Sequence, residues 1–307
     1  MFILKTLKTR FRQINEMHWE IANLERRLDA LKLNQGMILT ALNEHKKNKN
    51  LKAYEFCIFS QWGEDGMIQQ LIKSIEIKNK TFIEFGVENF KESNCRFLLM
   101  KDNWKGFVID GSAQNIADLK NADFYWRNNL EAIAAFITKD NINSLLEKSG
   151  FDEDLGILSI DLDGNDYYIL EAITFFKPRI LIVEFNAVFG AERKISIPYQ
   201  ADFNRTKAHY SNLYCGASLA AITFLAAKKG YTLVGTNSAS VNAFYVRNDV
   251  WNNQLESLTA EEAFTPSHFR DSRDENGKPT YISGNSRLEL IKGLPVYNVE
   301  TQLLELI

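Results

Sequence analysis

From residue 81 to residue 185 the chain alternates short apolar runs with helical patterns, and most of the runs end in acidic or polar residues. The run Thr81–Phe85 precedes a helical pattern at Glu92–Lys101, Gly106–Ile109 precedes Ala113–Asn121, and Asp123–Arg127 precedes Asn141–Ser149. Gly156–Ile160 and Tyr167–Phe175 continue the series to a last run at Arg179–Phe185. Strands separated by helices of this length predict βαβ units, hence a parallel sheet covered on both faces. A helical pattern over 217–229, with apolar runs at Tyr231–Gly235 and Asn242–Arg247 behind it, predicts an antiparallel hairpin at one sheet edge. The expected fold is therefore α/β and Rossmann-like, mostly parallel and ending in that hairpin.

The 307 residues suffice for one such domain with extensions, and 45% hydrophobic with 24% charged residues is ordinary globular composition. One extension precedes the domain. Leu7, Ile14, Ile21, Leu28, Gln35 and Leu42 recur every seven residues, and Met17, Leu24, Leu31 and Ile38 follow successive members by three. These are the a and d positions of a coiled coil; Ile at two a positions with Leu at d favours a parallel dimer, with Gln35 fixing register. One long helix folded back on its own domain also fits the pattern. Polar residues 44–52 mark a hinge, so residues 1–48 are assigned to an oligomerisation helix and 52–307 to the main domain. Within the latter, 187–216 is long enough for a lid, and 250–307 forms a C-terminal extension.

Residues 1–50 hold ten Lys and Arg against five Asp and Glu, leaving a net −8 on the remainder of a chain whose total is −3. A solvated coiled-coil face accounts for the basic end, and peripheral contact with an anionic inner membrane stays open. The acidic main domain lacks a basic stripe interleaved with aromatics, which argues against nucleic acid. Cys57, Cys95 and Cys215 form no CxxC or Cys/His pattern, so a cytoplasmic location is expected. Met1–Leu7 is broken by Lys5 and does not read as a secretory leader, and no apolar run reaches membrane-spanning length.

In an open doubly wound sheet, ligands bind beyond the carboxyl ends of the strands. There the sequence places Glu84-Phe85-Gly86, then Asp110-Gly111-Ser112, then Asp161-Leu162-Asp163-Gly164-Asn165-Asp166, then Glu184-Phe185-Asn186. Gly86 permits close backbone approach, and Asp110 stands where a carboxylate accepts ribose hydroxyls. Neither GxGxxG nor GxxxxGK[ST] occurs, which lowers the case for a pyrophosphate. Together these point to a nucleoside cofactor without one, and S-adenosylmethionine, whose sulfonium suits an acidic rim, is such a cofactor. Helix capping by Glu84 and Asp110 is the competing explanation.

SQWGEDG (60–66), FIEFGVENFKESNCRFLL (82–99), LSIDLDGNDYYILEAI (158–173), ILIVEFNAVFG (180–190), YCGASLAAI (214–222) and GYTLVGTNSASVNAFYVRND (230–249) together resemble the FkbM-type methyltransferases and relatives encoded with surface polysaccharide genes. The resemblance spans roughly 54–300 and excludes the heptad region. It implies S-adenosylmethionine across the first two strand ends, Glu84 and Gly86 near the methionine part, Asp110 on the ribose with Ser112 beside it, and Asp161 near the reacting methyl. Gln61, Glu64 and Ser93 would flank the pocket. The chain departs from the pattern after Gly86, where Glu88, Asn89 and Phe90 replace later glycines.

The implied reaction is O-methylation of a glycan or glycolipid precursor in capsule or lipopolysaccharide assembly; a non-catalytic scaffold recruiting partners through its coiled coil is the rival. Methyl transfer needs proximity, orientation and a base for the acceptor hydroxyl. Asp161 and Asp163 are candidates, and Asp163, Glu184 and Asn186 make an all-oxygen set suited to Mg²⁺, although capping explains the same residues. His209, in the expected lid, is a candidate general base or a solvated loop residue.

Overall fold

The computed structural model describes residues 2–307, with side chains from residue 10 onward other than His18. The side chains of Met1–Leu7, the segment weighed as a leader and including the first seam residue, lie outside the described residues. The main sheet is built from β1 (Thr81–Phe85), β2 (Lys105–Asp110), β3 (Leu130–Ala134), β4 (Ile157–Ile160), β5 (Ile180–Glu184), β7 (Tyr231–Thr236) and β8 (Asn242–Arg247). A short β6 (Ile195–Ser196) pairs instead with β9 (Pro295–Asn298), which pairs with β10 (Leu303–Leu306). The helices are α1 (Phe2–Asn43), α2 (Glu64–Ser74), α3 (Arg96–Asp102), α4 (Ala113–Asn121), α5 (Ile142–Glu147), α6 (Asp166–Ala172), α7 (Arg205–Ala208), α8 (Leu219–Lys228), α9 (Ala260–Ala263) and α10 (Asn285–Leu290).

The seven-stranded sheet runs β3-β2-β1-β4-β5-β8-β7, parallel from β3 to β5, with β8 antiparallel to both β5 and β7. The parallel run and its antiparallel edge are as the alternation and hairpin predict, and the strand order is that of a class I methyltransferase sheet. Order reverses between β1 and β4, and the switch point opens a crevice at the carboxyl strand ends. Side chains alternate across the sheet as the two-residue period requires. Ile83, Phe85, Phe107, Ile109, Leu158, Ile160, Leu181 and Val183 enter one apolar layer, and Phe82, Val108, Ile157, Ile180 and Ile182 enter the other. Both layers are apolar and buried, so the strands are held by burial on two faces and their ends can be polar.

Two elements differ from expectation. Residues 123–127, read as a strand, form turns, because Phe124 turns inward against the Arg96 guanidinium (4.2 Å); the third strand is Leu130–Ala134. The helix expected from Glu92 begins only at Arg96; the residues before it form bends, with the Asn94 and Cys95 amides donating to the Glu84 carboxylate at the helix N-terminus.

α1 lies partly on the domain. Asp29 pairs with Arg96 at 2.6 Å, Glu25 with Lys91 at 3.1 Å, and Leu33 and Leu39 pack near Phe97. Gly36 abuts that ring so closely that a Cβ would sit 2.5 Å from it. The segment 187–216 is not a detached flap: it supplies β6 and α7 and shares an apolar cluster with the C-terminal extension. No helix among the described residues is long and apolar enough to cross a membrane.

Candidate active site

A cavity of about 460 Å³ opens at the carboxyl ends of β1, β2, β4 and β5. Among its lining side chains are seven carboxylates (Glu84, Glu88, Glu92, Asp110, Asp161, Asp163 and Glu184) and one guanidinium, that of Arg205. Such a wall repels a pyrophosphate and favours a cation. A smaller cavity of about 220 Å³ adjoins it, sharing Gln61, Glu184, Arg205 and Val241 and adding Trp62, Asn186, Cys215, Phe269, Asp271 and Arg287.

At the end of β1, the Glu84 carboxylate accepts from Ser93 Oγ at 2.6 Å and from the amides of Asn94 at 2.8 Å and Cys95 at 3.2 Å. Burial pushes Glu84 up to about 7, against these three donors. It therefore braces the 93–95 loop and forms cavity wall in one act. Gly86 follows with φ +68°, and a Cβ there would meet the Asp161 carbonyl oxygen at 1.7 Å, so only glycine fits. On β2, Asp110 accepts from the amides of Glu88 and Ser112, both at 2.8 Å, and from Asn115 Nδ2 at 3.2 Å. Each carboxylate oxygen has further lone-pair capacity, so Asp110 ties the two strand-end loops together and still faces the cavity. Phe136 and Ile137, beyond β3, add an apolar ledge beside it.

Beyond β4 and β5 the acids divide by role. Asp166 accepts from the amides of Leu162 (2.8 Å) and Gly164 (3.0 Å); burial pushes it up to about 7, and it shapes the loop from inside. Asp163, held at φ +53°, turns outward and pairs with Arg205 Nη1 at 2.8 Å. Asp161 and Glu184 stand side by side at the ends of the paired strands β4 and β5; burial first, and their neighbours' charge second, push both well above the usual carboxylate range. Glu184 lines both cavities and stands at their junction.

Several sequence candidates have other tasks. Ser112 caps α4, its Oγ accepting from the Asn115 amide at 3.2 Å, and is not a cavity residue. Glu64 is buried against the β7–β8 turn, accepting from Asn237 (2.6 Å), Asn242 (2.9 Å) and the Trp62 amide (2.8 Å), so it positions that turn. Gln61 and Ser93 do line the cavity. His209 lies outside both cavities, with Nδ1 2.7 Å from Ser211 Oγ and its ring against Tyr210, and burial lowers its pKa. It braces its loop. The Mg²⁺ set does not fit the residues present. Arg205 occupies the cation position beside Asp163, and Asn186 spends its amide on the carbonyls of Leu213 and Cys215 and its oxygen on the Val188 amide. Among the described residues no group of three His, Cys, Asp or Glu is arranged to hold a metal.

Sequence reasoning missed Arg205, Phe203, Phe136, Trp62, Phe269 and Arg287. All six come from loops or short helices with no periodic signal, brought to the strand ends by tertiary packing.

No protein-family model and no curated protein sequence matches the chain. Partial similarity exists to solved structures. A SAM dependent methyltransferase from Aquifex aeolicus shares 9% identity over 60% of this chain and 89% of its own, with TM-score 0.36. An O-methyltransferase family protein from Burkholderia thailandensis shares 12% over 70% and 71%, with TM-score 0.37, and a S-adenosylmethionine-dependent methyltransferase from Clostridium acetobutylicum shares 8% over 60% and 90%, with TM-score 0.39. Overlap of this size is loose, and the fold assignment rests on strand order and register.

Proposed function

We propose that the chain is an S-adenosylmethionine-dependent O-methyltransferase acting on a sugar or sugar-linked group, in the manner of FkbM-type enzymes of surface polysaccharide assembly. The observation that carries this reading is the acid-walled cavity at the switch point, with a second cavity joined to it through Glu184. Asp110 would take the ribose hydroxyls, Phe136 and Ile137 the adenine face, and the Gly86 turn and Ser93–Asn94 loop the methionine part. The sulfonium then lies toward Asp161 and Glu184, whose adjacent strand-end carboxyls give this part of the wall its acidic character.

The second cavity takes the acceptor. Trp62 and Phe269, with ring centroids 4.3 Å apart, offer an apolar platform of the sort that sugar rings stack on. Arg287 also lines that cavity, and its guanidinium gives it donors for an acceptor oxygen. The sulfonium carbon is already activated, so the protein has to align the hydroxyl with it and receive one proton. Glu184 is the base, made more basic by its burial and by the adjacent Asp161 charge; a positioned base contributes about 10²–10⁴-fold.

The test is mass spectrometry of surface glycans from cells carrying wild type, Glu184→Gln or no gene. The reading expects one CH₂ fewer per modified residue in the last two. Glycans identical across all three would overturn it.

A further inference from the structure

The face of α1 that docks on the domain is not its heptad seam. With Ile14, Ile21 and Leu28 at a, the docked residues Asp29, Gly36, Leu33 and Leu39 fall at b, b, f and e. The seam faces away: Ile14, Met17, Ile21, Leu24, Leu28, Leu31, Ile38 and Leu42 are between 49% and 65% exposed. A helix of 42 residues, about 63 Å long, thus carries one apolar face covered by its own domain and a second with no cover among the described residues. Regular a/d spacing over this length specifies another helix as the occupant.

We infer that the occupant is a second copy of this chain, bound antiparallel. The sequence decides the orientation twice. In a parallel pair, residues at g face e residues of the next heptad: Glu20 would meet the partner's Glu25, and Arg27 would meet the partner's Lys32, each twice by symmetry. Arg10, a d residue, would also meet the partner's Arg10 inside the seam. Two of those e residues are already engaged, Glu25 with Lys91 and Lys32 over the Phe59 ring.

In an antiparallel pair, a layers face d layers, and one register satisfies every layer from 10 to 35. Ile21 meets the partner's Leu24, Met17 the partner's Leu28, and Ile14 the partner's Leu31. Arg10 meets the partner's Gln35, so the two polar seam residues fall in one layer and no apolar residue faces either. The same register sets Glu20 opposite the partner's Arg27 at g, on the flank away from the docked domain. Like charges become opposite charges without moving any residue. The parallel dimer expected from Ile and Leu placement alone is thereby replaced.

The experiment is sedimentation of the full chain as wild type, Glu20→Arg, Arg27→Glu and the double variant, all at exposed positions and each checked for unchanged helical content. The antiparallel pairing expects a dimer whose Kd rises about three- to tenfold in each single variant and recovers in the double. A parallel dimer would tighten in each single variant, because Glu20→Arg would set a cation against the partner's Glu25 and Arg27→Glu would set an anion against the partner's Lys32. In a Cys57→Ser background, a mixture of Gln13→Cys and Asn34→Cys chains should form a mixed disulfide. Those positions lie side by side in the antiparallel register and about 31 Å apart in a parallel one. Tightening by the single substitutions, absence of the mixed disulfide, or a wild-type chain that is monomeric or larger than a dimer would each overturn the inference.

Discussion

Asp110 and Glu84 each do two jobs, and the pairing of jobs explains why capping and ligand contact were hard to separate in sequence. A strand-end carboxylate that gathers loop amides also presents its remaining lone pairs to whatever those loops enclose. Replacing Asp110 with Ala removes both. S-adenosylhomocysteine should bind about 10- to 100-fold more weakly by calorimetry, the loss of hydrogen bonds to a charged group; unchanged affinity would refute the ribose assignment. For Glu84, burial raises the carboxyl to about 7, and for Asp65, whose four donors do not offset its burial, to about 6. Groups with raised folded pKa bind protons more tightly folded than unfolded. Their stabilisation is complete below the unfolded value near 4 and is lost as pH rises through 6 to 7. The ligand-free Tm should therefore fall between pH 5 and pH 7.5, with Glu84 contributing about 3 kcal/mol, and Glu84→Gln should flatten the profile. A Tm that climbs over that interval would contradict the assignment of these carboxyls.

At the scale of elements, what the sequence made legible was whatever burial on two sheet faces imposes. Thr81–Phe85, Ala113–Asn121 and Asn242–Arg247 are found at the boundaries expected, because each has the period of its element and a polar break at both ends. The misread run 123–127 has three consecutive aromatics, a composition shared by strands and by packed turns, and only the position of Arg96 decides between them. The acids at strand ends were equally legible, whereas Arg205 and Arg287 were not, since a short helix inside a loop has no periodicity to announce it. The same limit hid the α1 docking face, where Gly36 and Asp29 break no pattern. Removing Asp29 leaves Arg96 almost fully buried without its ion-pair partner, and loss of one partner of a buried pair costs about 3–5 kcal/mol. Lys91 carbonyl and two aromatic rings remain to Arg96, so Asp29→Ala is expected at the lower end, about 3 kcal/mol by urea unfolding. A change below about 0.5 kcal/mol, the usual size of a neutral surface substitution, would show that α1 docking does not depend on this pair.

For the whole molecule, the domain gathers carboxylates around one crevice, and the first fifty residues carry a net +5 against −8 on the remainder. That separation leaves the crevice suited to a cation and the helix free for assembly. The proposed activity requires that the crevice receive S-adenosylmethionine, and titration calorimetry of the full chain with S-adenosylmethionine and S-adenosylhomocysteine tests this most directly. Glu84 on the cavity wall is pushed up to about 7, and its ionised form favours the sulfonium, so the preference for S-adenosylmethionine over its neutral thioether product should grow as pH rises from 6 to 8. One site per chain, weakened by Asp110→Ala and abolished by Gly86→Val, is the predicted result. No heat from either ligand at millimolar concentration, or equal binding to wild type and Gly86→Val, would contradict it.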